Sequence, residues 1–232
     1  TASHIDMRHA TASPSAAPFA PRRILYGMYA WLQFMLIGLV CLALLLVLFP
    51  LKRRRALVRR LSRVALRLAG MRVRTAALAG LPLPCVVVAN HCSYLDGVVL
   101  AAALPSDFGF VIKREMAAVP LAGLLLRRIG SEFVERVREG RTADARRVMR
   151  RAEDGHSLVF FPEGTFGIEP CLRKVHAGAF ITAARAGCPV GPAVIHGTRR
   201  ALPPAGGLPR PQRLRIQLLP PIQPQTGAGA AN

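Results

Sequence analysis

Acidic residues are scarce in this sequence, and so are aromatic ones. Asp and Glu number 12 against 32 Lys and Arg, which gives a formal net charge of +20. Such a chain attracts lipid headgroups, nucleic acid or an acidic carrier protein. Aromatic residues make up 6% of the chain, too few for a base-stacking platform. The first arginine-rich run also follows an apolar run directly. We therefore expect anionic membrane lipids and no nucleic acid as partners, with a membrane-tethered nucleic-acid binder as an alternative.

Paired cysteines are missing as well. The five cysteines include no C-x-x-C pair, their number is odd, and most lie in apolar runs. This pattern is typical of buried, reduced thiols in a cytosolic compartment. The cysteines are Cys41, Cys85, Cys92, Cys171 and Cys188.

Charge is absent from residues 24–49, and Pro50 ends the run. As a helix these residues would be about 39 Å long, against a hydrocarbon core of about 30 Å. We therefore predict a membrane helix over residues 24–50. The basic residues that follow predict the cytoplasmic face of the inner (cell) membrane. Arg22 and Arg23 on the other flank leave a re-entrant hairpin open.

Residues 51–74 predict a basic amphipathic helix, because apolar residues and arginines alternate there with a helical period. Such a helix suits an anionic leaflet, and the alternative is a solvated helix packed on its own domain. Residues 1–23, rich in Ala, Ser and Pro, predict a disordered leader, whose opening TASHIDM is a candidate cloning remnant. Residues 221–232 predict a disordered tail.

Residues 75–220 alternate between strand and helix patterns, which predicts one α/β domain with a mainly parallel sheet flanked by helices. The predicted strands are 85–89, 108–112, 131–135, 157–161 and 190–195, with a late edge strand over 214–220. The predicted helices are 95–104, 121–129, 142–153 and 177–186.

The stretch VVVANHCSYLDGVVLAAAL places His91 and Asp96 five positions apart after a β-branched run. On one continuous helix this spacing separates the two side chains by about 140°. The pair can meet only if the chain turns, with His91 at a strand end and Asp96 at the start of the next helix. Three later strand ends also carry ionisable residues, at 113–115, 135–136 and 163. Because active groups in such sheets lie at carboxyl ends of strands, we expect these loops to converge.

Four motifs in order resemble the glycerolipid acyltransferase family, the lysophosphatidic acid acyltransferases and their relatives. The resemblance runs from about residue 85 to residue 199. Its motifs are N-H-x4-D at Asn90, His91 and Asp96; G-x-x-F-x-x-R at Gly130, Phe133 and Arg136; F-P-E-G-T at residues 161–165; and a Pro-bearing apolar strand at residues 189–195.

The resemblance implies transfer of a fatty acyl chain from an acyl-CoA or acyl-carrier-protein thioester to a lysophospholipid acceptor, most simply 1-acyl-sn-glycerol-3-phosphate. No resident cofactor and no metal are expected. The residue chemistry agrees, since a neutral imidazole at His91 suits general-base work and Asp96 would fix its tautomer. The remaining residues assigned to substrate binding are Asn90, Lys113, Arg136, Glu163, Gly164 and Thr165, with Arg136 and Lys113 suited to a phosphate.

Two departures from the family pattern bear on the acceptor. Phe166 follows Thr165 where the family usually has a polar residue, and VHAGA places His176 at a basic position. A lyso-ornithine lipid or another lysophospholipid is therefore the alternative acceptor. Two other chemistries stay open: a thiol nucleophile at Cys92, and a metal-dependent membrane hydrolase using His91, Asp96 and Glu163, with His176 and His196 as further candidate ligands.

Overall fold

The protein's structure, a computed structural model, describes residues 21–76, 80–135, 141–169 and 173–224. The helices are α1 (Pro21–Val47), α2 (Leu51–Leu68), α3 (Leu95–Ala103), α4 (Ala122–Arg128), α5 (Arg141–Glu153), α6 (Gly178–Ala186) and α7 (Thr198–Ala201), with a 3₁₀ helix at Arg114–Ala118. The strands are β1 (Arg72–Ala76), β2 (Val86–Ala89), β3 (Gly109–Lys113), β4 (Glu132–Val134), β5 (Leu158–Phe160), β6 (Val190–His196) and β7 (Arg213–Leu218).

The seven strands form one sheet in the order β1-β7-β6-β2-β5-β3-β4. Every neighbouring pair is parallel except β6 and β7, which are antiparallel. The predicted α/β class with a mainly parallel sheet is therefore confirmed. The prediction that the last strand lies at the edge is wrong, because β7 lies between β6 and β1.

Helices cover the sheet in two layers. On one face, the helices α2 and α3 pack on alternate residues of β2, β6 and β7, around a core that includes Leu66, Leu100, Val87, Ile195 and Ile216. On the other face, α6 packs on β2, and α5 packs on β3 and β5. The central strand β2 is buried on both faces, which explains why its sequence is an unbroken apolar run.

The basic helix ends earlier than predicted. Helix α2 stops at Leu68, and residues 72–74 lie in β1. Gly70 adopts the left-handed conformation with φ of 62°. The N–H of Met71 then bonds to the carbonyl of Leu66, and that of Gly70 bonds to Arg67. This is the Schellman arrangement, which favours glycine just after a helix end. Gly70 is therefore the residue in the sequence that marks the end of α2.

The arginines of α2 lie on two faces of the helix that differ in their contacts. Arginines on one face donate to main-chain carbonyls of the same domain: Arg54 to Leu48 and Arg128, Arg55 to Asp107, Ile129 and Gly130, Arg59 to Ala103, and Arg63 to Ala102. These carbonyls include those at the C-terminal ends of α3 and α4, which cations stabilise. The alternative of a helix packed on its own domain therefore holds for this face. Arg53, Arg60 and Arg67 are exposed at seven-residue spacing and form a separate stripe.

The chain boundaries also differ from those expected. Residues 21–23, assigned to the leader, belong to α1, and Ile222, assigned to the tail, forms a β-bridge with Val190. Residues 1–20 and 225–232 lie outside the described residues. Within the described ranges, α1 is one helix that is long and apolar enough to cross a membrane.

Candidate active site

The loop between β2 and α3 brings His91 and Asp96 together. Strand β2 ends at Ala89 and α3 begins at Leu95, so the chain turns between the two residues. The Nδ1 atom of His91 lies 2.9 Å from Oδ2 of Asp96. The predicted contact is therefore confirmed, and it depends on the turn rather than on a shared helix face.

Asp96 is fully buried, and its Oδ2 atom is the centre of a donor cluster. The backbone N–H groups of Cys92 and Ser93 donate to this oxygen at 2.7 and 2.8 Å, beside His91 Nδ1. Because the carboxylate accepts from Nδ1, the neutral ring of His91 carries its proton there and leaves Nε2 as an acceptor. Nε2 has no hydrogen-bond partner in the described part of the chain, and the side chain is 19% exposed. The ring therefore offers one free basic nitrogen to a substrate.

Aromatic side chains fix the plane of the His91 ring. Phe161 stacks on it with ring centres 4.2 Å apart, and Phe166 meets it edge-on at 4.5 Å. Tyr94 in turn contacts Phe166 edge-on at 4.8 Å. Sequence reasoning did not foresee that Phe161, Phe166 and Tyr94 surround the histidine. The departure from the family pattern at Phe166 was the available signal.

Glu163 is buried and accepts hydrogen bonds from the main chain. It is 5% exposed, and its two oxygens accept the backbone N–H groups of His91 at 2.8 Å and Arg173 at 2.9 Å. Oε1 thus joins the β5 loop to the β2 loop, and Oε2 bonds within the β5 loop itself. Glu163 therefore holds the main chain of His91 in place, and its assignment to substrate binding stays a prediction.

Asn90 is also engaged by the protein itself. Its amide oxygen accepts the N–H of Ile195 at 2.7 Å, and its amide nitrogen donates to the carbonyl of the same residue at 3.2 Å. This pair of bonds ties the end of β2 to β6. Asn90 therefore positions the chain directly before His91, and its assignment to substrate binding stays a prediction.

Lys113, Gly164 and Thr165 line the same cavity as His91, as the convergence of strand ends predicted. Lys113 lies 2.7 Å from Glu115 and is about half exposed. Gly164 adopts a φ of 77°, which a residue with a Cβ atom rarely takes. Arg114 does not join this group, because its guanidinium pairs with the buried Asp144 at 2.5 Å. Arg136 lies outside the described residues.

The cavity has a volume of about 630 Å³. It extends from His91 between the sheet and the helices α1, α2, α3 and α4, and apolar residues form most of its wall. Its walls include Phe34, Ile37, Gly38, Val58, Leu61, Ala101 and Leu125. Volume and lining are those of a site for an elongated apolar ligand.

The Cys92 thiol is not activated as a nucleophile. Burial raises the pKa of Cys92, and the neighbouring Asp96 carboxylate raises it further. Its Sγ atom lies 3.3 Å from the hydroxyl of Thr198. Because a thiolate is the reactive form, this environment disfavours attack by sulphur.

The metal-site alternative finds no supporting geometry. In the described ranges, no three His, Cys, Asp or Glu side chains are grouped so that they could hold an ion. The lone pairs of Asp96 and Glu163 are directed to protein N–H groups instead. His196 is exposed, while His156 lies 3.1 Å from Arg151 and outside the cavity.

Comparison with known proteins agrees with this arrangement. The chain is 36% identical over 169 residues to the lyso-ornithine lipid O-acyltransferase of Rhizobium meliloti (strain 1021), covering 68% of this chain and 57% of that protein. It is 33% identical over 121 residues to the chloroplastic 1-acyl-sn-glycerol-3-phosphate acyltransferase BAT2 of Brassica napus, covering 52% of this chain and 35% of that protein. The chain therefore spans less than two thirds of the length of either relative.

The fold is that of a solved structure. The crystal structure of the 1-acyl-sn-glycerophosphate (LPA) acyltransferase PlsC from Thermotoga maritima superposes with a TM-score of 0.73, at 20% identity, covering 90% of this chain and 88% of that chain. The sequence pattern of the family described as Acyltransferase matches residues 72–196, which include β1 to β6 and the whole His91 loop. By that match over more than half of its length, the chain belongs to the acyltransferase family.

Proposed function

We propose that this protein transfers a fatty acyl chain from a thioester to the hydroxyl of a lysoglycerolipid. The observation that carries the proposal is the His91–Asp96 pair, with a free Nε2, on the wall of a 630 Å³ apolar cavity. An acyl chain fits such a cavity, and the imidazole would meet its reactive end. Names of the similar proteins point to the same class of reaction.

In the proposed reaction His91 acts as a general base. Nε2 accepts the proton of the acceptor hydroxyl while its oxygen attacks the thioester carbonyl carbon. The tetrahedral intermediate then expels the thiolate, which takes the proton from the imidazolium and leaves as a free thiol. Asp96 stabilises the imidazolium through the 2.9 Å contact. Proton transfer of this kind contributes roughly 10²- to 10⁴-fold to the rate.

The donor is an acyl-CoA or an acyl-carrier-protein thioester. Both donors are anionic and suit a chain with a net charge of +20. Neither donor requires a resident cofactor, because the acceptor hydroxyl itself is the nucleophile.

The first acceptor we propose is 1-acyl-sn-glycerol-3-phosphate, with phosphatidic acid as product. Lys113 on the cavity wall supports a phosphate, and Arg136 is the second cation that the sequence motif assigns to it. In that case Arg136→Ala raises the KM for lysophosphatidic acid strongly. Arg136→Lys raises it less, because lysine keeps the charge but cannot form the bidentate hydrogen bonds of arginine. The KM for a neutral acceptor is unchanged in both variants. An unchanged KM in Arg136→Ala would contradict a phosphate-bearing acceptor.

A lyso-ornithine lipid is the second candidate acceptor. Two similar proteins, from Rhizobium meliloti and Pseudomonas aeruginosa, carry that name and are 36% and 34% identical to this chain. Phe166, which stands where the family usually has a polar residue, contacts His91 edge-on.

We further propose that α1 lies along one leaflet, on the cytoplasmic face of the cell membrane, instead of crossing the bilayer. The domain holds α1 near both of its ends: Tyr26 donates to the carbonyl of Ala69 at 2.6 Å, and Arg128 donates to that of Leu45. Between them, Gln33 donates to Ala65 at 3.2 Å. A crossing helix would carry the domain into the bilayer with it. The exposed side of α1 is apolar and suits the acyl region, beside the arginine stripe of α2.

The test is a thioester-consumption assay with both donors and a panel of lysolipid acceptors. We expect wild-type protein to release free thiol only when an acceptor is present, and His91→Ala to abolish this release. His156→Ala serves as the matched control, because this histidine lies outside the cavity. Near-normal turnover by purified His91→Ala would contradict the mechanism.

A further inference from the structure

Four arginines form a charged patch on the sheet, which we call the arginine face: Arg72 and Arg74 of β1, and Arg213 and Arg215 of β7. The two strands are parallel, with Arg72 opposite Arg213 and Arg74 opposite Arg215. Because side chains alternate along a strand, all four lie on the same side of the sheet. All four are exposed.

Among the residues that the structure describes, no helix packs on this side of β1 and β7. The alternate residues Val73, Leu214 and Ile216 pack in the core beneath α2 and α3. On the opposite side, where the arginines lie, α6 packs on β2 and α5 packs further along the sheet. In the described part of the chain, two helical layers therefore cover the centre of the sheet, and one covers the β1–β7 end.

The charges of the arginine face are not neutralised by any residue that the structure describes. Across the described ranges, none of the four guanidinium groups has a hydrogen bond or an ion pair with another residue. Neighbouring strands are about 4.8 Å apart and alternate residues about 6.7 Å apart, so the four charges lie in a small rectangle. Like charges directly opposite one another destabilise a sheet, and an anionic partner would remove that repulsion.

The arginine face reaches the edge of the sheet at which His91 lies. Arg215 is the register partner of His196, which is also exposed. His196 follows Ile195, the residue whose backbone is held by Asn90. Asn90 immediately precedes His91. The end of β6 therefore lies between the arginine face and the loop that carries the proposed base.

The position of the face also decides between two anionic partners. Helices α1 and α2, which carry the exposed apolar side chains and the arginine stripe, lie on the other side of the sheet. A flat bilayer that contacts α1 therefore does not reach the arginine face. A soluble partner does reach it. Each arginine guanidinium can form two parallel hydrogen bonds with one carboxylate, so an acidic protein suits this face.

We propose that the arginine face binds an acidic carrier protein that presents the acyl thioester to His91. The proposal rests on the proposed acyl transfer and names the donor of that reaction. Acyl-CoA would enter the same cavity without using the arginine face.

The test compares two donors in the full-length protein in non-ionic detergent, with one lysolipid acceptor. We expect the double variant R213E/R215E to raise the KM for the acyl carrier protein about tenfold or more, and more steeply at low salt, because charges at an interface rim act on association. The KM for acyl-CoA of the same chain length stays within about twofold, because in this proposal acyl-CoA enters the cavity without contacting the arginine face. The matched control is R60E/R67E on α2, with the same change in charge on the other side of the sheet, which leaves both KM values unchanged.

A second measurement separates the arginine face from the reaction itself. Fluorescence anisotropy of a labelled carrier protein reports binding even if wild-type protein transfers from neither donor, a result that would refute the proposed function alone. We expect wild type and the control to bind, and R213E/R215E to bind weakly. The proposal is overturned if the KM rises equally for both donors or rises for neither. It is also overturned if the arginine face retains duplex DNA or anionic vesicles in place of the carrier.

Discussion

Replacing Asp96 by Asn should separate the charge of this residue from its geometry. Two backbone N–H groups, from Cys92 and Ser93, point at Oδ2 together with Nδ1 of His91. An amide nitrogen at that position would face three donors, so the amide oxygen of Asn must occupy it. The variant thus keeps the His91 ring, its tautomer and all three hydrogen bonds, and loses only the negative charge.

The size of the effect follows from the His91–Asp96 contact. Charges about 4 Å apart attract by about 4 kcal/mol at an effective dielectric constant of about 20. Since this attraction develops only when His91 becomes an imidazolium, its loss lowers kcat by about 10²- to 10³-fold. His91→Ala should lose more, because it removes the base itself.

The assay is thiol release at saturating donor and acceptor, with thermal unfolding of each variant in detergent. We expect Asp96→Asn to unfold near the wild-type temperature. Asp96→Ala should unfold far lower, because each buried donor left without an acceptor costs about 1–3 kcal/mol. A kcat for Asp96→Asn within a factor of about three of wild type would refute an imidazolium in the rate-determining step.

Three further predictions address other parts of the site. Cys92→Ser should keep most of the activity, and no labelled acyl group should remain on the protein after addition of donor alone, because the raised pKa keeps the thiol protonated. Burial alone would raise the pKa of Asp144, but hydrogen bonds from Arg114, the Glu135 N–H and Arg147 together lower it. Its stabilisation is therefore complete at neutral pH and is lost as the pH falls below about 4, so Asp144→Asn should flatten the acid limb of a plot of unfolding temperature against pH. Gly38→Phe should favour shorter acyl donors, because a Cβ at Gly38 meets open space where this residue lines the cavity; an unchanged chain-length profile would place the acyl chain elsewhere.

The sequence alone determined the order of the central elements and the His91–Asp96 contact. Alternation of apolar strands and helices is a local property, and a parallel sheet places successive strand ends at one edge. For that reason the loops at Lys113 and Gly164 were correctly expected beside His91. Strand β1 was missed because its few alternating residues follow a helix of the same basic composition, and only Gly70 marks the break.

The hydrogen-bond partners of the polar side chains were decided by the tertiary structure. Composition and spacing do not show which group a polar side chain contacts. The sequence does not show that Glu163 and Asn90 accept backbone N–H groups from His91 and Ile195, which lie 72 and 105 positions away. The arginines of α2 resemble a lipid-binding set, yet four of them satisfy carbonyls at helix ends that only the packed fold brings near. The arginine face exists only because residues about 140 positions apart become neighbours when β7 pairs with β1. A buried hydrogen-bonding group must find a partner on folding, and that partner is chosen by the tertiary structure.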